Sequence, residues 1–108
     1  MFTRHVTMKL KENSAAELTR TIDKEILPLL RKQKGFRDEI TLVSHDRSEV
    51  VALSFWDTKE GAEAYNRAGY PEVLKALSKV VDGSPKVKTF EVSNSTFHKI
   101  AAKAASSS

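Results

Sequence analysis

The chain has 108 residues, of which 40% are hydrophobic and 30% charged, and this is the composition of one globular domain with a single core. It contains no cysteine, which excludes disulfides and thiolate metal sites. No apolar run approaches the roughly 18 residues that span a bilayer. We therefore expect a cytoplasmic protein without a membrane partner. The net charge of +4 is interleaved with acidic residues, as in Asp23-Lys24-Glu25, which argues against a nucleic-acid partner.

The first predicted element is a β-strand over residues 2 to 10. Apolar and polar side chains alternate from Arg4 onward, which is the period of a strand. The two sides of this strand carry Val6, Met8 and Leu10 on one side, and His5, Thr7 and Lys9 on the other.

A helix is predicted next, because Ser14 and Glu17 have the spacing of a capping box. Apolar residues then recur at helical spacings of three and four, namely Leu18, Ile22, Ile26, Leu29 and Leu30. Pro28 predicts a kink or a fresh turn within this stripe, since proline cannot donate a backbone hydrogen bond. Gly35 is predicted to stop the helix after Lys34.

Two strands follow and predict an antiparallel hairpin. Residues 36 to 44 alternate, with Phe36, Ile40 and Leu42 on the more apolar side and Val43 on the other. Residues 45 to 48 are polar and form the turn. Residues 50 to 56 are apolar on both sides, which is typical of a strand covered on both faces.

A second helical region begins after that strand, because Asp57 and Thr58 are good N-cap residues. The helix is expected to run to about Asn66 and to break at residues 68 to 70. Pro71 fits the first turn of a further helix. The remaining predicted segments are a helix over residues 71 to 81, a loop at 82 to 85, a strand over 86 to 92, and a C-terminal tail at 94 to 108.

The element order β-α-β-β-α-β predicts an α+β, ferredoxin-like fold, with a four-stranded antiparallel sheet and helices on one face. The other face is then bare, although residues 50 to 56 are apolar on both sides and Val43, Phe90 and Val92 add to it. Contiguous exposed apolar surface on a sheet usually marks an interface. We therefore predict a homodimer whose two sheets pack face to face.

Three stretches carry a resemblance to a known family: Pro28 to Phe36, Ser54 to Tyr65, and Tyr70 to Leu74. They resemble the antibiotic biosynthesis monooxygenase (ABM) domain family of dimeric α+β barrel proteins, and the resemblance places one such domain at residues 1 to 93. That family includes cofactor-free quinone-forming monooxygenases, haem-degrading enzymes and signalling-molecule processing proteins. The resemblance therefore implies a fold, and a small apolar or aromatic molecule in a cleft between sheet and helices, rather than one activity.

Two functions remain open under this resemblance. The first is a monooxygenase that oxidises an aromatic molecule with dioxygen and no bound cofactor. The second is a non-catalytic ligand-binding or stress-related interaction module of the same fold. Haem degradation is disfavoured, because the family's tryptophan and axial histidine positions fall on Tyr65 and Lys75, and a protonated lysine is a poor haem ligand.

The monooxygenase interpretation assigns roles to individual side chains. His5 is the candidate base, because a neutral imidazole in the cleft can take a proton from a phenol. Tyr65 and Tyr70 are candidate hydrogen-bond donors. The candidate substrate-binding residues are Phe36, Phe55, Trp56, Leu74 and Phe90. The alternatives are a His5 that is hydrogen-bonded at the dimer interface and aromatic residues that form the core. His45 and His98 are expected to be solvated, and no metal site is predicted.

Overall fold

The computed structural model describes residues 1–97 as a four-stranded sheet with helices on one face. The strands are β1 (Phe2–Leu10), β2 (Phe36–Val43), β3 (Glu49–Trp56) and β4 (Val81–Glu91). The helices are α1 (Ala15–Thr21), α2 (Leu27–Arg31), α3 (Lys59–Ala68) and α4 (Tyr70–Leu77), with a π-helical turn (Ile22–Ile26) between α1 and α2. The strands pair antiparallel in the order β2-β3-β1-β4, which confirms the predicted ferredoxin-like α+β fold. None of these helices is long and apolar enough to cross a membrane.

The helices enclose the core against one face of the sheet, which we call the covered face. β1 contributes Val6, Met8 and Leu10, as its alternation predicted, and β3 contributes Val50 and Trp56. The helical side of the core consists mainly of Leu18, Ile22, Ile26, Leu30, Tyr65, Val73 and Leu77. Burial of each large aliphatic side chain contributes about 1.5–3 kcal/mol, so this layer holds the helices on the sheet.

The first helical region is interrupted, as Pro28 predicted, but the distortion lies before the proline. Because Pro28 cannot donate to a preceding carbonyl, the helix widens into the π-helical turn and restarts at Leu27 with the proline in its first turn. The helix then ends at Arg31, earlier than the predicted stop at Lys34. Gly35 has a φ of 82° and forms the turn into β2.

The two predicted helix caps have different outcomes. Thr58 caps α3 as predicted, since its hydroxyl oxygen accepts a hydrogen bond from the backbone N–H of Gly61 at 3.1 Å. The prediction of a capping box at α1 is wrong, because the Ser14 side chain makes no cap hydrogen bond. Glu17 forms an ion pair with Arg20 one turn later, so its carboxylate is not available to the helix start.

The faces of β2 differ from the prediction because the strand contains a β-bulge. Phe36 pairs with Trp56 and Asp38 with Phe55, so the strand carries one extra residue between them. Beyond the bulge, Glu39, Thr41 and Val43 share the covered face, whereas Ile40 and Leu42 lie on the opposite face. Val43, which we predicted to face away from the helices, therefore packs against the core.

The boundary between α4 and β4 also differs from the prediction. Helix α4 ends at Leu77, and β4 already begins at the buried Val81, where the apolar pattern suggested more helix. The expected loop at residues 82 to 85 is an irregularity within the strand. The register with β1 shifts there, and Gly83 has a φ of 80°, which is a conformation that glycine adopts without strain.

The predicted break between α3 and α4 is confirmed at Gly69, which lies between the two helices. A Cβ atom at this position would meet the ring of Tyr65 at 2.8 Å and the side chain of Leu29 at 3.2 Å. The absence of a side chain therefore lets the ring of Tyr65 pack against the backbone at the break.

The face of the sheet opposite the helices, which we call the open face, has no described helix over it. Its apolar residues are Ile40, Leu42, Val51, Leu53, Phe55 and Phe90, and its polar residues on β1 and β4 include His5, Thr7, Lys86 and Lys88. Leu42 and Phe90 are 52% and 48% exposed. This apolar band agrees with the expectation from the sequence that the sheet has apolar residues on both faces.

Candidate functional site

A cavity of about 40 Å³ lies between the covered face and the helices. Most of its walls are aliphatic, formed by Val6, Met8, Ile22, Ile26, Leu30, Val73 and Leu77. The polar residues that line it are Arg4, Glu39, Ser54, Tyr65 and Tyr70. A volume of this size holds about three water molecules, whereas a cavity that binds benzene measures about 150 Å³. An aromatic ligand therefore needs more room than this cavity offers.

Arg4 is the basic residue in the wall of the cavity. It lies on β1 on the same side as Val6, and only 3% of its surface is exposed. Its Nη1 donates a hydrogen bond to Oδ1 of Asn66 on α3 at 2.7 Å. Its guanidinium carbon lies 5.2 Å from the ring centroid of Tyr65 and 4.6 Å from that of Tyr70, which is cation–π distance.

The remaining hydrogen-bond donors of Arg4 are unused. Nε and Nη2 are buried and have no hydrogen-bond partner among residues 1–97, and no ion pair of that region includes Arg4. Burial lowers the pKa of Arg4, and the two nearby tyrosines oppose that effect. A guanidinium nevertheless stays charged at neutral pH. An anion placed against Nε and Nη2 would offset the cost of burying this charge.

Three aromatic rings form a continuous row beside Arg4. Tyr65 stacks on Trp56 with their centroids 4.9 Å apart, and Tyr70 follows with its centroid 6.0 Å from that of Tyr65. Trp56 is fixed by a hydrogen bond of 2.9 Å from its Nε1 to the hydroxyl of Ser54. Burial raises the pKa of both tyrosines, so their hydroxyls remain neutral donors. The buried hydroxyl of Tyr70 has no partner within the described part of the chain.

Glu39 is the acidic residue that lines the cavity, and the bulge in β2 brings it to the covered face. Its carboxylate accepts a hydrogen bond of 2.6 Å from the hydroxyl of Thr41. Burial raises the pKa of Glu39, the Thr41 hydrogen bond opposes this, and the negative charge of Asp23 adds to it. A carboxylate with a raised pKa in an apolar cavity suits a proton acceptor.

The structure brings together only part of the predicted site. Tyr65 and Tyr70 line the cavity, and Trp56 lies behind Tyr65 with Phe36 edge-on against it at 5.5 Å. Leu74 packs against the core without lining the cavity.

Three predicted site residues lie on the open face instead: His5, Phe55 and Phe90. The rings of His5 and Phe90 contact each other there, with centroids 4.9 Å apart. The expectation that His5 points into the cleft is therefore wrong, because side chains alternate along a strand and Arg4 takes the inward position. Residues 1–97 contain no group of three side chains that could hold a metal ion, and His98 lies outside the described residues.

Sequence reasoning missed the two charged residues of the cavity. The signal for Arg4 was present, because it occupies the same side of β1 as Val6, Met8 and Leu10, and a charge on the apolar side of a strand requires an explanation. Glu39 carried no such signal, since regular alternation assigned it to the face away from the helices until the bulge was known.

The chain is similar in fold to solved structures of monooxygenases. A monooxygenase from the gene ActVA-Orf6 of Streptomyces coelicolor, in complex with Nanaomycin D, is 19% identical with a TM-score of 0.75, over 91% of this chain and 92% of that one. SnoaB, a cofactor-independent oxygenase from Streptomyces nogalater, is 14% identical with a TM-score of 0.71, over 88% and 95% of the two chains. A Deinococcus radiodurans protein, proposed to be an antibiotic biosynthesis monooxygenase, is 17% identical with a TM-score of 0.70, over 94% and 99%.

No protein-family model and no curated protein matches the chain. At identities below 20%, the likeness to the solved structures shows the fold alone. That fold is the one implied by the stretches that resemble the ABM domain family, and several of the similar structures carry that name.

Proposed function

We propose that the protein binds a small aromatic molecule with an ionisable oxygen between sheet and helices, and oxidises it with dioxygen without a bound cofactor. The observation that carries this proposal is Arg4, a buried cation beside a row of aromatic rings, with two nitrogen atoms, Nε and Nη2, whose N–H groups are unused. An ionised phenol supplies the charge for the guanidinium and a flat ring for the aromatic residues. The similar structures include one cofactor-independent oxygenase and one monooxygenase with a bound ligand, which supports this class.

The proposed chemistry divides among three side chains. Glu39 accepts the proton of the substrate hydroxyl, and Arg4 stabilises the resulting anion. The electron-rich ring carbon para to that oxygen then bonds to dioxygen. The resulting peroxide anion takes the proton back from Glu39. The hydroperoxide then loses water, because the ring carbon gives up its hydrogen as a proton while the O–O bond breaks, so one oxygen atom becomes a carbonyl of the quinone and the other leaves as water. The hydroxyl of Tyr70 donates a hydrogen bond to an oxygen of the substrate.

A homodimer is part of the same proposal. The apolar band of the open face supports it, because two copies related by a two-fold axis would cover each other's Leu42, Leu53 and Phe90. Packing through the open face leaves the covered face and its cavity unaffected. The expected cytoplasmic location stays a prediction.

The second function, a non-catalytic binding module, is favoured by the small cavity. Because about 40 Å³ does not hold a ring, binding already requires the helices to move apart, and oxidation requires further room for dioxygen. A protein that only captures an aromatic anion at Arg4 needs no separate space for oxygen. The two functions share the ligand class and differ in oxygen consumption.

Oxygen uptake with 1,8-dihydroxynaphthalene separates these functions. The first predicts one dioxygen consumed per molecule of 5-hydroxy-1,4-naphthoquinone formed, at a rate above that of buffer and of Arg4→Met protein. Glu39→Gln should lower this rate at least tenfold. Binding of the ligand to this variant should still quench or shift the fluorescence of Trp56. His5→Ala is the control and should behave as wild type, because His5 lies on the open face. Binding without uptake would favour the second function, and absence of both would reject the site.

A further inference from the structure

A concavity lies at the end of the open face where β2 and β3 meet the C-terminal segment. It has a volume of about 330 Å³ and is lined by Asp38, Glu39, Ile40, Phe55 and Phe97. The first four of these residues belong to β2 and β3, whereas Phe97 follows β4 in the chain. The concavity is therefore formed between the sheet and the last of the residues that the structure describes.

The chain reaches this concavity by crossing the sheet. β4 is the edge strand farthest from β2, and the backbone N–H of Val92, just after it, donates a hydrogen bond of 2.9 Å to the carbonyl oxygen of Met1. The distance from β4 to β2 is roughly 14 Å, because neighbouring strands lie about 4.8 Å apart. A chain from Glu91 to Phe97 spans at most about 20 Å when extended. This segment therefore takes a direct path across the end of the sheet.

Phe97 is a large apolar side chain that the structure leaves mostly uncovered. It is 79% exposed, more than Leu42 or Phe90 on the open face. The concavity next to it presents the apolar side chains of Ile40 and Phe55. Because removal of apolar surface from water stabilises a fold, this end of the sheet would be stabilised by a further apolar group.

Residues 98–108 continue the chain from this point and lie outside the described residues. Apolar side chains recur three, four and seven residues after Phe97, which is the spacing of one face of an amphipathic helix. The same stretch has two lysines and no acidic residue, whereas two acidic residues, Asp38 and Glu39, line the concavity. The segment therefore matches the concavity in apolar pattern and in charge.

We propose that residues 98–105 dock in this concavity on their own sheet, where Ile100 contacts its apolar wall, and that this contact opposes dimer formation. Docking within one chain is favoured because Phe97 already lines the concavity, so the residues that follow need no long loop to reach it. The lysines of the segment lie toward Asp38 and Glu39 at the rim.

Competition with a second copy follows from the position of the concavity. Ile40 pairs with Leu53 across the sheet, and the proposed homodimer covers Leu53. A docked segment occupies the same end of the open face, so the dimer forms only when the segment leaves. The competition rests on the homodimer of the proposed function, whereas the docking itself does not.

Disulfide trapping tests the docking, because the chain has no native cysteine. The double variant Leu53→Cys, Ala101→Cys places one thiol on the sheet beside the concavity and the other in the segment. On oxidation with diamide it should form an intramolecular disulfide at least tenfold faster than the control Lys86→Cys, Ala101→Cys, whose first thiol lies on β4. Ile100→Asp should remove this advantage, because it places a charge in the apolar contact.

Two results would overturn the docking. Equal rates for the two cysteine pairs would show that the segment does not occupy the concavity. A covalent dimer as the main product, visible in non-reducing electrophoresis, would show that the segment binds a second copy instead.

Sedimentation velocity tests the competition in the chain without added cysteines. Ile100→Asp should lower the dimer dissociation constant at least fivefold, because it frees the open face. Ser107→Asp adds the same charge outside the docked residues and should leave the constant within twofold of wild type. An unchanged or higher constant for Ile100→Asp would overturn the competition. If neither wild type nor Ile100→Asp forms a dimer, the proposed homodimer fails and the competition with it, while the disulfide rates still decide the docking.

Discussion

The two faces of the sheet distribute charge in opposite ways. On the covered face, the charged residues Arg4 and Glu39 are surrounded by aliphatic and aromatic side chains, and Arg4 lacks a counter-ion among the described residues. On the open face, apolar residues such as Leu42 and Phe90 are about half exposed, next to the solvated Lys86 and Lys88. Each face therefore carries some residues that are unusual for its environment: two charged side chains among the buried core residues, and large apolar side chains on the exposed surface.

The two faces of the sheet would be stabilised by different kinds of binding partner. A buried cation with unused donors is stabilised by a small anion, because only a small group reaches it. An exposed apolar band is stabilised by another surface of similar size, because burial of apolar area is not directional. Consecutive residues of β1 illustrate the difference: Arg4 belongs to the ligand side, and His5 belongs to the side that we expect to meet a second copy.

The largest expected effect is on assembly, and it separates the faces directly. Leu42→Asp places a charge in the proposed interface twice, once from each copy, and should raise the dimer dissociation constant at least about 100-fold, or roughly 2.7 kcal/mol. Val87→Asp changes a similarly exposed strand residue on the covered face and should leave the dimer intact. Sedimentation velocity over a range of protein concentrations measures both. A wild type that sediments as a monomer at micromolar concentration would contradict the interface.

The next effect compares two neighbouring valines of β3. Val50 is completely buried on the covered face, whereas Val51 is partly exposed on the open face. Val50→Ala should lower the free energy of unfolding by about 2 kcal/mol, because it removes buried methyl groups and leaves a cavity. Val51→Ala should cost less than about 1 kcal/mol, and its cost should rise with protein concentration if a partner covers it. Urea denaturation provides both values, and equal costs at low concentration would contradict the assignment of the faces.

The sequence predicts features that depend on neighbouring residues better than features that depend on pairing across the sheet. The hydrophobic alternation of β1, the cap at Thr58 and the break at Gly69 were sufficient for the fold, because each depends on residues close together in the chain. The bulge in β2 was not predictable, since it depends on the pairing of Phe36 with Trp56 across the sheet. The error for His5 has another cause: chemical reactivity suggested it as a base, whereas strand geometry places the neighbouring Arg4 inward.

A third prediction concerns stability against function at Arg4. Replacement of a buried, incompletely paired charge by an apolar side chain of similar length is often neutral or stabilising. Arg4→Met should therefore leave the free energy of unfolding unchanged or raise it by about 1 kcal/mol, although it removes the hydrogen bond to Asn66 and the contacts with Tyr65 and Tyr70. It should also abolish binding of 1,8-dihydroxynaphthalene. A loss of more than about 2 kcal/mol would indicate that Arg4 is a structural residue.

The smallest expected effect is the pH dependence contributed by Glu39. Because burial raises the pKa of Glu39 in the folded state, the native protein holds this proton to higher pH than the unfolded chain does. The contribution of Glu39 to stability should therefore fall as pH rises from about 4.3, the usual pKa of a glutamate, through the raised value, and remain constant above it. Glu39→Gln should be more stable than wild type at pH 7, by on the order of 0.5 kcal/mol, and the difference should vanish near pH 4. Glu60→Gln, which makes the same change at an exposed residue of α3, is the matched control. Urea denaturation at both pH values measures this difference. If the wild type is more stable than Glu39→Gln at pH 7, the fold stabilises the charged carboxylate. That result would contradict the role of Glu39 as a proton acceptor in an apolar cavity.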